Sequence, residues 1–190
     1  DFEGEIEFKS FNKSCNSSFD VLKLIGLNNK ITELNNLSST LSKIDFSNNL
    51  ITKVDFSELY KLKEIKLDNN PLEIIIFPYN SDYCIDFPST VKTIQFGNAF
   101  NPSKLDNLPE HLENLYLGSA FNCPLDNLPL TLKKLELYSS KYNKNLDNLP
   151  NSLEELYLTC FPNCSLDFLP ASLKKLCIKS SHENKFIHLN

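Results

Sequence analysis

The sequence predicts a solenoid of short repeats, in which a parallel β-sheet gains one strand per turn and helices are scarce. The pattern L-x-x-L-x-L recurs along nearly the whole chain. Repeats of about 20 residues leave little room for a helix of ordinary length. Each later repeat ends in Leu-Pro, which favours an extended return segment because proline fixes its φ and disfavours helical conformation in the residue before it.

The clearest copies of the repeat lie in the second half of the chain. They begin at Leu112, Leu132, Leu153 and Leu173, a nearly constant period of about 20 residues. We call each repeat a rung. In a solenoid each strand pairs with the strand of the next rung, so these leucines stack into a continuous core that no single rung could form.

Earlier copies follow the same spacing with one irregular step. Counted backwards from Leu112, they begin at Val91, Leu62, Leu41 and Val21, and the step between Leu62 and Val91 is longer than all the others. The long step predicts an insertion at about residues 76–90.

The residues that close the turns differ between the two halves. In the first three rungs an asparagine follows the strand, at Asn29, Asn49 and Asn70. An inward amide can satisfy backbone groups of its own rung and of the neighbouring one. From Val91 onward an aromatic residue before asparagine takes this place, at Phe100-Asn101, Phe121-Asn122, Tyr142-Asn143 and the looser Phe161-Pro162-Asn163. Each of these rungs closes with Leu-Pro, at Leu108-Pro109, Leu128-Pro129, Leu149-Pro150 and Leu169-Pro170.

These residues resemble the leucine-rich repeats, and residues 91–178 resemble their FNIP-type subclass. The stretch 121–135, FNCPLDNLPLTLKKL, has the form F-N-x-P-L-x-x-L-P-x-x-L-K-x-L. The resemblance implies a leucine-rich-repeat solenoid of the right-handed α/β superhelix class with a parallel β-sheet on its concave face. It also implies an extended, polyproline-like convex side with little helix, and a concave sheet that binds another macromolecule.

We expect a single domain over residues 1–190. Ile6 and Phe8 alternate with polar residues as in a strand, so the first twenty residues are interpreted as a cap. The expected parts are an N-terminal capping rung at 1–20, asparagine-type repeats at 21–90, FNIP-like repeats at 91–178 and a terminal rung at 179–190.

Composition and charge exclude several classes of function. The formal net charge is −5 and all 19 basic residues are lysine, which argues against nucleic acid as a partner. No apolar run approaches the roughly 18 residues that membrane insertion needs. The four glycines form no nucleotide-binding loop, and no catalytic set stands out. We therefore expect no enzyme activity, no cofactor and no metal.

Tyrosines are prominent among the residues that alternate with the inward leucines and so point out of the concave sheet. Tyrosine is enriched in binding surfaces because it offers a large, stiff contact area with a polar tip. It also has high strand propensity and stacks on its neighbours, and the residues alone support either interpretation. The predicted partner-binding residues are Tyr116, Tyr138, Tyr157, Glu136, Gln95 and Thr159.

Two functions follow from this pattern. The first is a non-enzymatic recognition module that binds an unidentified protein through the concave face. The alternative is a structural or adhesive coat component that self-assembles, because nothing polar obviously seals the last rung around Phe186 and Leu189. The oligomeric state is left open.

The expected location is secreted or extracellular, with the cytoplasm as the alternative. The chain begins at Asp1 and contains no methionine, which favours removal of a signal peptide. Sequons for N-glycosylation occur at Asn12, Asn16, Asn36 and Asn163.

Paired charges recur at identical offsets in successive rungs and predict a ladder of alternating sign. We interpret it as a solvated strip worth at most about 1 kcal/mol per ion pair. Its members are Lys133, Lys134, Glu154, Glu155, Lys174 and Lys175.

The cysteines predict neither a metal site nor a long-range bridge. The run Cys160-x3-Cys164, followed by Cys177 and His182, superficially resembles a zinc site, but the register spreads these groups over a strand and a preceding turn. Cys123 and Cys164 lie two rungs apart, on the order of 10 Å, which is too far for a disulfide.

Overall fold

The computed structural model describes residues 4–7, 22–25, 30–35, 37–77, 87–159, 166–179 and 184–188. This part of the chain forms β-strands joined by turns, contains no helix, and so holds no helix that could span a membrane. The strands are β1 Gly4–Glu7, β2 Leu22–Ile25, β3 Ile31–Asn35, β4 Leu41–Asp45, β5 Lys53–Asp55, β6 Glu64–Lys66, β7 Ile74–Ile76, β8 Thr93–Gln95, β9 Asn114–Leu117, β10 Lys134–Leu137, β11 Glu155–Thr159, β12 Lys175–Lys179 and β13 Asn184–His188.

The strands build a parallel β-solenoid of about 6 turns with rungs of about 21 residues. Its main sheet has eight strands in the order β5-β7-β8-β9-β10-β11-β12-β13. Apolar residues face each other across the parallel pairs in one continuous row, formed by Val54, Ile75, Ile94, Leu115, Leu135, Leu156 and Leu176. The predicted stacking of the second-half leucines is therefore confirmed.

The first half carries two strands in each turn instead of one. Strands β2, β4 and β6 pair in parallel in a sheet of their own, whereas β5 and β7 belong to the main sheet. The sequence encodes both, because Leu62-x-x-Ile65-x-Leu67 and Leu72-x-x-Ile75-x-Phe77 repeat the same apolar spacing half a turn apart.

The predicted alignment of Ile65 with Ile94 is therefore wrong. Ile94 of β8 faces Ile75 of β7, while Ile65 faces Ile44 in the three-stranded sheet. The long step between Leu62 and Val91 joined strands of two different sheets, so the insertion expected at about residues 76–90 loses its basis. Residues 78–86 lie outside the described part.

The last strand is also not a further parallel rung. β13 runs antiparallel to β12, with Phe186 opposite Cys177. Only residues 180–183 separate the two strands, too few for another turn of the solenoid, and the chain therefore reverses. β13 is therefore the edge strand of the main sheet at this end, and the self-assembly alternative stays a prediction. At the other end, the strand expected around Ile6 is present as β1, which pairs in parallel with β3.

Two kinds of stack close the turns. Buried Asn49 and Asn70 accept hydrogen bonds from Ile31 N at 3.2 Å and Ile51 N at 3.0 Å, and each amide donates to Phe46 O at 2.9 Å. This confirms the predicted role of these two residues, and Asn29 lies outside the described residues. In the later rungs an aromatic stack replaces the amides, formed by Phe77, Phe96, Phe100, Phe121 and Tyr142.

Each later strand begins directly after a proline turn. The amide nitrogens of Leu112, Leu132, Leu153 and Leu173 donate to the carbonyl of the proline three residues earlier at 3.0 to 3.1 Å. These turns fix where each strand starts, and therefore which side chains share a row on its outer surface.

Candidate functional site

The outward side chains of β8 to β12, which we call the strand face, form two registered rows. The register places successive rungs side by side, so that each residue has a neighbour on either side in the next strand. The first row is Thr93, Asn114, Lys134, Glu155 and Lys175, and the second is Gln95, Tyr116, Glu136, Tyr157 and Cys177.

Lys134 lies at the centre of the strand face. Its Nζ lies 5.3 Å from the ring centroid of Tyr116 and 4.9 Å from that of Tyr157, within the range of cation–π attraction. The same ammonium lies 2.7 Å from Glu136 Oε1. Burial acts to lower the pKa of Lys134, but the hydrogen bond and charge attraction of Glu136 outweigh it, and the pKa is raised.

Glu136 is buried, with 8% of its surface exposed. Its two carboxylate oxygens are used, one by Lys134 and the other by the hydroxyl of Tyr138. Glu136 lies on the outward side of its strand, as alternation predicts, but it is buried there, and its contact with a partner stays a prediction. Alternation sends the side chain outward, and the neighbouring lysine and tyrosines then cover it. Glu136 positions the residues around it.

Tyr157 has a second set of partners. Its hydroxyl donates to Glu155 Oε2 at 2.8 Å, and Lys175 Nζ lies 5.0 Å from its ring. The hydrogen bond with Tyr157 raises the pKa of Lys175. The ring of Tyr157 therefore has an ammonium group from each flanking strand within the range of cation–π attraction.

A hollow of about 270 Å³ opens beside Tyr157. Tyr138 is 41% exposed on its rim, and Thr159 faces Lys179 across the pair β11 and β12. Burial and the hydrogen bond to Glu136 raise the pKa of Tyr138 to about 12. The hollow is lined by Glu136, Tyr138, Tyr157, Leu158, Thr159, Cys177 and Lys179.

Five of the six predicted residues therefore meet around Lys134 and the hollow. Gln95 is the sixth. It is exposed and faces Tyr116 across β8 and β9, at the edge of this cluster. The central role of Lys134 was not predicted, because the sequence pattern assigned this lysine only to a solvated charge strip. The signal that could have found it is the register, because Lys134 has Tyr116 and Tyr157 as its diagonal neighbours in the two flanking strands.

The predicted charge ladder is present in part, because Lys133, Glu154 and Lys174 form ion pairs between rungs just before the strands. Lys134, Glu155 and Lys175 contact Tyr157 instead. Lys133 pairs with Glu113 at 3.0 Å, Lys174 with Glu154 at 2.9 Å and Lys92 with Glu73 at 3.7 Å. All six side chains are more than one-third exposed, so each pair is worth at most about 1 kcal/mol.

Two cysteines lie in the described part of the chain, and one of them, Cys177, lines the hollow. Cys123 and Cys177 are buried free thiols, and burial raises the pKa of Cys123. Within the described ranges no three histidine, cysteine or acidic side chains are grouped to hold a metal. Cys160, Cys164, His182 and the four sequons lie outside those ranges, so the interpretations that concern zinc, disulfides and glycosylation stay predictions.

Comparison with known families supports a repeat protein. One protein-family model matches residues 100–140, which hold β9, β10, the stacked Phe100 and Phe121, and Lys134. The matched family is typically non-catalytic. The search of curated proteins finds no match. Residues 100–140 match the FNIP Repeat family, within a β-solenoid repeat structure, and the resemblance seen in the sequence is confirmed over that span.

Proposed function

We propose that this protein is a non-enzymatic recognition module of the leucine-rich-repeat type, which binds a protein partner through the strand face. In this proposal the strand face is the concave side of a right-handed solenoid, and the proline-bearing return segments form an extended convex side. The cluster of Tyr116, Lys134 and Tyr157 carries the proposal.

The cluster supports binding because its aromatic side chains are already ordered. Lys134 contacts both tyrosine rings and is itself held by buried Glu136. Binding costs about 0.5–1.5 kcal/mol for each flexible side chain that must be immobilised at an interface. Tyrosines held in place beforehand avoid much of this cost while offering large contact areas with polar tips.

Ordinary packing is the competing explanation, since tyrosines also stack between strands. It accounts less well for the exposed side chains. Tyr138 is 41% exposed, and Tyr116 and Tyr157 are only half-buried. Tyrosines that only filled the core would be buried, so the exposed area of these three side chains favours a role in binding.

The test removes the aromatic surface and leaves the core intact. Tyr116, Tyr138 and Tyr157 are replaced together by alanine, and the immobilised variant is compared with the natural sequence for capture of partner proteins identified by mass spectrometry. The affinity of each captured partner should fall by about 2 kcal/mol or more, roughly 30-fold, because aromatic anchors dominate interface energies.

The matched control is Tyr60→Ala. Tyr60 is 51% exposed and donates to Glu58 at 2.9 Å, two residues away, as Tyr157 does to Glu155, but it lies in the first half of the solenoid. It should leave binding unchanged. Unaltered binding by the triple variant would move the site elsewhere, and an unfolded triple variant would show that these tyrosines are packing residues.

We also propose that the protein acts outside the cell, on the support of the four sequons. Treatment of the naturally produced protein with an N-glycosidase should lower its apparent mass. An unchanged mass would leave this location without support and favour the cytoplasm.

A further inference from the structure

The hollow beside Tyr157 has the size of a side-chain pocket. Its volume of about 270 Å³ holds about nine water molecules at the roughly 30 Å³ that each occupies in the liquid. Sites for whole small molecules begin at about 300 Å³ and extend to about 1,000 Å³. The hollow therefore suits one side chain of a partner.

Among the described residues, Glu136 is the carboxylate that lines the hollow, and both of its oxygens are already engaged within the protein. Glu136 accepts hydrogen bonds from Lys134 and Tyr138, and Glu155 accepts one from Tyr157. Glu136 has no carboxylate oxygen left for a cation from a partner, and Glu155 keeps its negative charge but is not among the described residues that line the hollow. A basic side chain entering the hollow would meet Lys179 in its lining and, among the described lining residues, no carboxylate with an oxygen available to pair with it.

Lys179 differs from the other charges of this face. It is exposed at the end of β12 and lines the hollow, and within the described part of the chain its side chain has no ion pair, hydrogen bond or ring contact, whereas Lys175 contacts Tyr157. Strands β10, β11 and β12 together carry three lysines and two glutamates, a net charge of +1 in a chain whose net charge is −5. This end of the strand face thus favours a negative group, and complementary charge gives specificity and speeds association.

We infer that the partner segment carries an acidic residue, Asp or Glu, beside an aromatic or aliphatic residue. The apolar side chain occupies the hollow between Tyr138 and Tyr157, and the carboxylate pairs with Lys179 at its rim. This inference rests on the proposed function of the strand face and adds the chemistry of the partner.

The experiment selects binders without assuming a partner. A random peptide library displayed on phage is panned against the full chain, and selected peptides are synthesised for affinity measurement. We expect enrichment of an acidic residue next to an aromatic or aliphatic one. Lys179→Glu should weaken these peptides about tenfold or more, because it places like charges together.

The matched control is Lys66→Glu, which makes the same charge change at an exposed position of β6, in the other sheet. It should change affinity less than twofold. A peptide whose acidic residue is replaced by lysine should regain affinity for the Lys179→Glu variant. Both variants alter exposed residues, and their thermal unfolding should match that of the natural sequence.

The outcomes separate the inference from the proposed function. If selected peptides lose affinity for Tyr138→Ala and Tyr157→Ala but show no acidic enrichment, or bind Lys179→Glu as well as the natural sequence, the acidic-segment inference is wrong and recognition by the strand face stands. If no peptide is selected, or the selected peptides ignore both tyrosine variants, the proposed function fails as well.

Discussion

The two halves of the solenoid close turns of similar length in different ways. The first half uses two strands per turn in separate sheets and fills the corner with buried amides such as Asn70. From β8 onward each turn has one strand, the return segment carries Leu-Pro, and stacked aromatic rings such as Phe100 and Phe121 fill the corner. One half depends on satisfied hydrogen bonds and the other on apolar packing.

Strand length along the main sheet decides where a site can be built. Strands β5 to β8 have three residues each, whereas β11 and β12 have five. Each extra pair of residues adds one outward position. Thr159 and Lys179 exist on the strand face only because of this extension, and with Tyr138 they border the hollow. The candidate site therefore belongs to the half that is packed by leucine and aromatic residues.

The largest effect expected from breaking this packing is at Leu135. It is fully buried in β10, and Leu135→Ala should lower the free energy of unfolding by about 2–5 kcal/mol through lost burial and a cavity. Chemical denaturation measures the change. Leu130→Ala is the matched control, because Leu130 is 83% exposed and its replacement should stay within about 0.5 kcal/mol. Equal losses at both positions would contradict the assignment of core and surface.

The first half should instead lose stability when one of its buried side-chain amides is removed. Asn70 bonds Ile51 N, Phe46 O and Leu67 O from a buried position. Asn70→Ala removes this partner from Ile51 N and Leu67 O, at a cost of about 1–3 kcal/mol for each buried group that stays unsatisfied, whereas Phe46 O keeps its hydrogen bond from Asn49. Asn122 also accepts a rung-to-rung hydrogen bond, from Asn143 N at 3.0 Å, but on the solvent side. Water can replace that bond.

Asn122→Ala should therefore cost about 0.5 kcal/mol or less. The two variants are compared by denaturation under identical conditions. Similar losses would mean that the two halves do not differ in the way their turns are held. A loss at Asn122 larger than at Asn70 would reverse the comparison.

The period of the fold could be predicted from sequence because the leucine spacing is regular from Leu112 to Leu173. The second strand per turn in the first half could not, for a physical reason. Leu62-x-x-Ile65 and Leu72-x-x-Ile75 have the same spacing, and an apolar pattern does not say which copies pair. The pairing of Ile75 with Ile94 depends on where the turns place the strands in the folded chain, and apolar spacing alone does not determine that.

The sequence predicts which side chains of the candidate site point outward, but it does not predict which of them other side chains cover. Alternation along the strands identifies Tyr116 and Tyr157 as outward residues, and both are on the strand face. Burial of Glu136 was not predicted, because alternation gives the direction of a side chain and not what covers it. The antiparallel β13 was missed because an apolar pattern carries no strand direction.

The smallest expected effect is a change in the pKa of a tyrosine. Tyr60 and Tyr138 each donate a hydrogen bond to the glutamate two residues earlier, and the two can be compared. The hydrogen bond to Glu58 is the main cause of the raised pKa of Tyr60, whereas burial comes first for Tyr138, ahead of its bond to Glu136. A raised folded-state pKa means that folding favours the protonated phenol. Tyr138 therefore contributes stability that is present below its unfolded pKa of about 10. That contribution is lost as the pH rises through the folded value of about 12.

Ultraviolet absorbance of tyrosinate measures this directly, as the difference between the natural sequence and Tyr138→Phe, with circular dichroism confirming that the chain is folded. At a pH of about 11 an ordinary tyrosine is about 90% ionised, whereas Tyr138, with its pKa at about 12, should be mostly protonated. Glu136→Gln should lower the pKa of Tyr138 only in part, because its burial persists. Glu58→Gln should return the pKa of Tyr60 nearly to its ordinary value, because the hydrogen bond is the main cause there. If Tyr138 titrated like a free tyrosine, its bond to Glu136 and the preordered cluster around Lys134 would not exist in solution.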